Sequence, residues 1–211
     1  MQHFLADDLD YEAAYRLLTC CVVPRPIAWV VSLAHSGAVN VAPFSCFTYL
    51  APLPPLIGIS VGTHGGRPKD TASNIRATRH FTVNIACEEQ LDELEASAAE
   101  FGPEESEPQV IGIALAPGRS IPVPRIEAAP IALECSLHRI VALDDVGGHQ
   151  FIIGRVQCIS LRPDVLANGT VDPDLLRPIA RLGSGRYARV GERLEPARRS
   201  RFILSSGNPP D

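Results

Sequence analysis

The 211 residues carry a formal charge of −5, with 45% hydrophobic and 20% charged side chains. A compact chain of this length buries about 70% of its unfolded surface and needs no covalent or metal staples. The acidic balance gives no case for nucleic acid as a partner. The sequence predicts a mainly β fold with peripheral helices: residues 1–200 form one domain, and 201–211 form a disordered tail.

The N-terminus, "MQHFLADDLD", is acidic and lacks the basic and apolar regions of a signal peptide. Residues 10–18 predict a short helix capped by Asp10, with Tyr11, Ala14, Tyr15 and Leu18 on one face. From Pro26 to Gly66, 41 residues pass without an Asp, Glu, Lys or Arg. Pro43, Pro52, Pro54 and Pro55 and three glycines break any membrane-spanning helix there, so the stretch reads as consecutive buried strands and turns. Strands are predicted over 26–34, from Ala38 to Pro43 after an "HSG" turn, and over 56–62.

Residues 69–78 predict a helix with Asp70 or Thr71 as N-cap. A strand over 80–86 and a helix over 88–100 follow. Nine acidic and no basic residues lie between Glu88 and Gly118, a run that reads as a solvated face rather than a docking surface. Residues 130–143 and 149–161 predict two long strands joined by a "DDVGG" turn. Residues 162–178 read as turn-rich surface and 180–190 as a glycine-bearing loop. The six cysteines show no CxxC or zinc spacing and read as buried or half-buried free thiols of a cytoplasmic protein. The six histidines form no HxH, HxxxH or HExxH pair, so no metal site is expected.

Three segments could carry chemistry. In "GRPKDTASNI", Arg67 and Lys69 precede a helix start, and Thr71 adds a hydroxyl. Unpaired N–H groups at a helix N-terminus attract anions, so the group could hold a phosphate. The plainer reading is a capped surface helix. Lys69 is the single lysine beside 18 arginines. In "NVAPFSCFTYLAPLPPL", Asn40, Ser45, Cys46 and Thr48 are polar groups in an apolar run. The amides of Phe44 to Phe47 need acceptors, which a planar heterocycle would supply; a buried strand with a bulge is the alternative. In "GGHQFIIGRV", His149 opens a buried strand and is either structural or functional. No GxSxG or GxGxxG motif is present.

Taken in order, "PRPIAWVVS", "GAVNVAPFS", "PP" and "KDTASNI" resemble the flavin reductase-like family of FMN-binding split-barrel proteins. The likeness is densest from about Cys21 to Ile85. It implies an antiparallel Greek-key split barrel of about six strands, a homodimer, and FMN near the subunit interface. Carried onto this chain, Ala42, Pro43, Phe44, Ser45 and Cys46 would lie along the isoalloxazine, flanked by Ser32 and Asn40. Ser60, Arg67, Lys69 and Thr71 would hold the ribityl phosphate, and Asp70 would cap the helix. His149 would stand near the nicotinamide of NAD(P)H, although Gly148 replaces the aspartate of the family's Gly-Asp-His element. The implied activity is NAD(P)H:flavin reduction, with electrons passing to free flavin, oxygen or a partner oxygenase. A flavoredoxin-like FMN carrier without its own NAD(P)H oxidation is the alternative.

Overall fold

A computed structural model describes residues 1–64, 66–102, 105–143 and 148–194. Its centre is a seven-stranded antiparallel sheet. The strands are β1 (Ala28–Leu33), β2 (Val39–Phe44), β3 (Phe47–Pro52), β4 (Pro55–Val61), β5 (His80–Ile85), β6 (Ile131–Ala142) and β7 (Gln150–Leu161). They lie in the order β2-β1-β5-β6-β7-β4-β3.

The end strands β2 and β3 are neighbours in sequence, separated only by Ser45 and Cys46. In a flat sheet they would stand about 29 Å apart, at about 4.8 Å per strand. The chain from Phe44 to Phe47 reaches at most about 11 Å. The sheet therefore curls until its edges meet, which makes it a split barrel with the Ser45–Cys46 link at the seam. The Ser60 N–H donates to the Cys46 carbonyl at 2.8 Å and ties the seam to β4.

β1 shows why the sequence is uncharged here. Ala28 and Val30 face the barrel interior with Phe44, Ile59, Val61, Phe81 and Ile152. Trp29 and Val31 face an outer core with Val41, Leu94, Val123 and Ile126. Both faces of the strand are thus buried, and an ionised side chain on either would lose its hydration. Trp29 satisfies its one polar atom by donating Nε1–H to Ser97 Oγ at 2.9 Å. Gly154 on β7 leaves room for the Phe81 ring, since a Cβ there would lie 2.4 Å from Phe81 Cζ.

Among the described residues five α-helices surround the barrel: α1 (Tyr11–Cys21), α2 (Asp70–Thr78), α3 (Leu91–Ala96), α4 (Glu107–Ile111) and α5 (Pro173–Leu176). Asp10 caps α1 as expected, accepting from the Ala13 N–H at 2.8 Å. α2 places Ala72 and Ile75 in the inner core. No helix is long and apolar enough to cross a membrane among the described residues.

The split barrel with peripheral helices is as expected, with seven strands in its principal sheet where about six were expected; other expectations need correction in detail. The addition is β3, whose Thr48, Tyr49 and Leu50 are all exposed and leave no alternating signature. The helix expected over 88–100 is a 3-10 turn, Glu88–Gln90, followed by the six-residue α3. Ser97 follows α3 and donates its hydroxyl back to the Leu94 carbonyl, the local competition by which serine disfavours helix continuation. Residues 180–190 are not a plain loop: Ile179–Arg181 forms the middle strand of a small sheet, pairing with Arg25–Pro26 on one side and Tyr187–Arg189 on the other. All six cysteines are free, but Cys20, Cys21 and Cys46 are exposed, because α1 buries none of its residues and Cys46 sits at the seam. Most of the "DDVGG" turn and the 201–211 tail lie outside the described residues.

Glu134, on β6, is fully buried and accepts from the N–H groups of Arg119 and Ser120 at 2.8 and 2.6 Å and from the Ser120 hydroxyl at 2.7 Å. Burial alone would raise its pKa, but these bonds outweigh it and hold the carboxyl below its ordinary range. A depressed pKa contributes stability that is present above the unfolded-state value and lost as pH falls through the folded-state value. Glu134→Gln should therefore lower unfolding free energy at pH 7 by roughly 1.5–3 kcal/mol. Urea titrations should show that deficit shrinking as the pH falls below the ordinary carboxylate range.

Candidate functional site

A cavity of about 490 Å³ opens where the barrel seam meets α1, α2 and the small three-stranded sheet. Pro43 and Ser45 form its barrel wall, and Lys69 enters from the segment before α2. Tyr15, Arg16, Thr19 and Cys20 line it from α1. Arg181, Leu182, Ser184, Gly185 and Tyr187 close the far side.

The cations are unevenly paired. Arg181 bonds Glu95 at 3.1 Å and stacks on the Tyr187 ring with its guanidinium 4.5 Å from the centroid. Burial and the Glu95 hydrogen bond push the Tyr187 hydroxyl up to about 12. Arg16 and Lys69 make no ion pair among the described residues. The Lys69 ammonium lies 5.8 Å from the Phe44 ring centroid. Arg25, 8% exposed, is held by neutral acceptors: the carbonyls of Thr19, Val22 at 2.8 Å and Leu182 at 3.4 Å, and the Ser45 hydroxyl at 3.3 Å. The wall thus carries uncompensated positive charge in a chain of net charge −5, an arrangement that draws anions.

The start of α2 adds to this. Lys69, not Asp70 or Thr71, occupies the N-cap position with extended φ and ψ, and no side chain caps the helix. The N–H groups of Ala72 and Ser73 turn back to the Lys69 carbonyl at 2.9 and 3.1 Å. Those of Asp70 and Thr71 have no acceptor among the described residues. The expected capping role of Asp70 is therefore corrected: Lys69, whose side chain has no acceptor, occupies the capping position, and the helix end keeps its partial positive charge.

Ser32, Asn40 and Thr71 gather beside the cavity in a network of their own. The Thr71 hydroxyl, on a residue 1% exposed, donates to Asn40 Oδ1 at 2.8 Å. Ser32 Oγ donates to the same oxygen at 3.2 Å, and Asn74 Nδ2 donates to Ser32 Oγ at 3.2 Å. Asn40 Nδ2 donates to Glu107 Oε1, and the Val41 N–H donates to Glu107 Oε2 at 3.2 Å. Burial pushes the Glu107 carboxyl above its ordinary range, and the Asp70 charge adds to the rise; hydrogen bonds from its own N–H, Asn40 and Val41 oppose it.

The remaining expected residues lie as follows. Ala42 is half-buried, and the Phe44 side chain belongs to the inner core. Cys46 is exposed at the seam. Ser60 is half-buried on β4, opposite Phe151. Arg67 is exposed on a short strand, Arg67–Pro68, paired with Thr63–His64. His149 is outside the cavity lining. Its ring centroid is 6.2 Å from that of Tyr11, which stacks on the cavity residue Tyr15 at 6.4 Å. Gly62 permits this placement: a Cβ there would lie 2.9 Å from His149 Nε2. Gly148 has φ +66 and faces Thr63, a conformation that disfavours the aspartate of the Gly-Asp-His element.

Sequence reasoning missed Arg25, Arg16, Arg181 and Tyr187. Arg25 sits inside the "PRP" motif, which flagged it without a role. The others come from segments that only the fold brings to the cavity.

The chain matches the Flavin reductase like domain over residues 20–176. It is 38% identical over 190 residues to an uncharacterized Halalkalibacterium halodurans protein, covering 88% of this chain and 91% of that one. Nitrilotriacetate monooxygenase component B from Bacillus cereus superposes with a TM-score of 0.90 at 33% identity, covering 93% of this chain and 98% of the other. The 2-nitrobenzoate 2-nitroreductase NbaA of Pseudomonas fluorescens superposes with a TM-score of 0.86 at 33% identity, covering 98% of this chain and 100% of the other.

If Lys69 meets a phosphate in this cavity, Lys69→Ala should weaken FMN binding by about 1.5–3 kcal/mol, the worth of one charge-assisted hydrogen bond. Lys69→Arg should also bind less tightly, because a planar guanidinium replaces a compact ammonium. Flavin fluorescence quenching reads both. Arginine at wild-type affinity would show that any cation suffices.

Proposed function

Because the chain belongs to the flavin reductase like family, we propose that it is an FMN-dependent oxidoreductase of the NAD(P)H:flavin reductase type. The observation that carries this reading is the cavity itself. It joins the Pro43–Ser45 seam to Lys69 and the uncapped start of α2, and its volume suits a cofactor-sized ligand. The donor chemistry fits FMN, with polar backbone at one end for a heterocycle and a cation with free amides at the other for a phosphate.

In this reading Ala42 to Cys46 run along the flavin ring and meet its polar edge mainly through backbone groups. Lys69, with Arg67, Ser60 and the amides at the head of α2, holds the phosphate. Thr71 contributes its N–H, since its hydroxyl proton is committed to Asn40. Ser32 and Asn40 act from behind by fixing Thr71. Arg25 holds the Ser45 hydroxyl and the end of α1, so it sets the cavity wall. FMN, when bound, supplies the redox chemistry, accepting hydride from NAD(P)H at N5 and passing electrons to free flavin, oxygen or a partner oxygenase. His149, through Tyr11 and Tyr15, borders the route by which the nicotinamide approaches.

An oxygenase partner is supported by the name of the Bacillus cereus relative, a monooxygenase component. A homodimer is supported by α1, which exposes Tyr11, Tyr15, Leu18 and Val22 as a continuous apolar stripe. Six free thiols accord with a cytoplasmic setting. The rival reading, an FMN carrier without its own NAD(P)H oxidation, rests on Gly148 standing in place of the family's aspartate.

Anaerobic addition of NADH or NADPH to the yellow protein separates the two. Bleaching of the flavin absorbance within seconds, slowed in His149→Ala without loss of FMN, is the expected result. A flavin left oxidised by both nucleotides would favour the carrier.

A further inference from the structure

Glu107 lies in the acidic run between Glu88 and Gly118 that reads from sequence as a solvated face. Unlike most of that run it is buried, and both its oxygens are used. We propose that Glu107 is a positioning residue for the phosphate end of the flavin site, acting through Asn40 on Thr71; this rests on the FMN reading above.

Donor and acceptor directions fix how the relay is oriented. The Val41 N–H can only donate, so the oxygen it meets, Glu107 Oε2, must accept. The second carboxylate oxygen also accepts, so it selects the amino group of Asn40. That choice turns Asn40 Oδ1 the other way, where it takes protons from both Thr71 and Ser32. The Ser32 oxygen in turn accepts from Asn74, one turn further along α2. A single carboxylate therefore sets the orientation of a relay that grips α2 at two points, one of them directly beside Lys69. Ser106, preceding α4, fixes the approach by donating to the Val39 carbonyl at 3.1 Å.

Glutamine at 107 would keep the shape and reverse the logic. Its carbonyl would take the Val41 N–H, leaving its amino group against that of Asn40. Flipping Asn40 to relieve this clash presents NH2 to Thr71 and Ser32, so both bonds must re-form in the opposite sense, with the two hydroxyls as acceptors. The head of α2 then has to reseat on reversed bonds beside Lys69, with the Thr71 hydroxyl proton turned away from Asn40, while Pro43 and Ser45 at the ring end keep their partners.

The test compares FMN with riboflavin, which has the ring but no phosphate. Dissociation constants are measured by flavin fluorescence quenching for wild type, Glu107→Gln, Lys69→Ala and the double variant. Glu107→Gln should weaken FMN about tenfold and leave riboflavin within about twofold, and its effect should largely vanish in the Lys69→Ala background. Equal weakening of both ligands would make Glu107 a stability residue and overturn the proposal, as would unchanged FMN affinity or full additivity with Lys69→Ala. If Lys69→Ala leaves the FMN-to-riboflavin preference intact, the phosphate reading itself fails and the role of Glu107 falls with it. If Lys69→Ala lowers the preference and Glu107→Gln does not, only the role of Glu107 falls. Should Glu107→Gln not fold, Thr71→Val cuts the same relay at its other end and should show the same selective loss; equal loss of both ligands would overturn the proposal.

Discussion

The architecture depends on a seam two residues long. Ser45 and Cys46 join the two outermost strands of a seven-stranded sheet, and no flat sheet permits so short a link. Closure follows from chain length, and several features follow from closure. β1 is covered on both faces, so charge is excluded from a long stretch of sequence. The interior must be filled by side chains such as Phe81 and Ile152, with glycine admitted where a ring crosses a strand. The seam itself is the place where the barrel's hydrogen-bond ladder is interrupted. The Cys46 carbonyl is taken there by the Ser60 N–H rather than by a ladder partner on the opposite edge strand, and the cavity opens beside Ser45.

Arg25 connects the seam to its surroundings. Its guanidinium bonds the seam hydroxyl of Ser45, two carbonyls near the end of α1 and the carbonyl of Leu182, in the turn that follows Ile179–Arg181. None of these partners carries a charge, so a buried cation is held where its field reaches the cavity. With Lys69 and Arg16 it makes one concave region positive on an acidic protein. That positive charge draws anions, and it is the electrostatic support for the proposed ligand with an anionic tail.

The barrel was legible in the sequence because its strands are either uncharged, as in Pro26 to Gly66, or long and apolar, as in β6 and β7. β3 was not legible, since Thr48, Tyr49 and Leu50 are exposed in succession, which puts residues of both faces in solvent and leaves no alternation. The small sheet of Arg25–Pro26, Ile179–Arg181 and Tyr187–Arg189 was hidden for a different reason. Strands of two or three residues leave no periodicity, and only the pairing between distant segments creates them. At the site, Lys69 stood out by composition, and Pro43 and Ser45 by motif; all three line the cavity. Asn40 and Thr71 carried the right chemistry for ligand contact, but the fold spends their side chains on each other. Glu107 looked like one more surface acid, because burial of a carboxylate depends on which strand its helix packs against. Side-chain direction and long-range pairing are the two quantities that a linear reading of this chain leaves open.

The proposed FMN site is the cavity between the seam and α2, with the phosphate at Lys69. A crystal structure of the protein with FMN decides it. The phosphate is expected within hydrogen-bond distance of Lys69 Nζ and of the Asp70 and Thr71 amides, with the ring against Pro43–Ser45. A flavin bound with its phosphate at Arg181 and its ring away from the seam, or one bound outside this cavity, would contradict it.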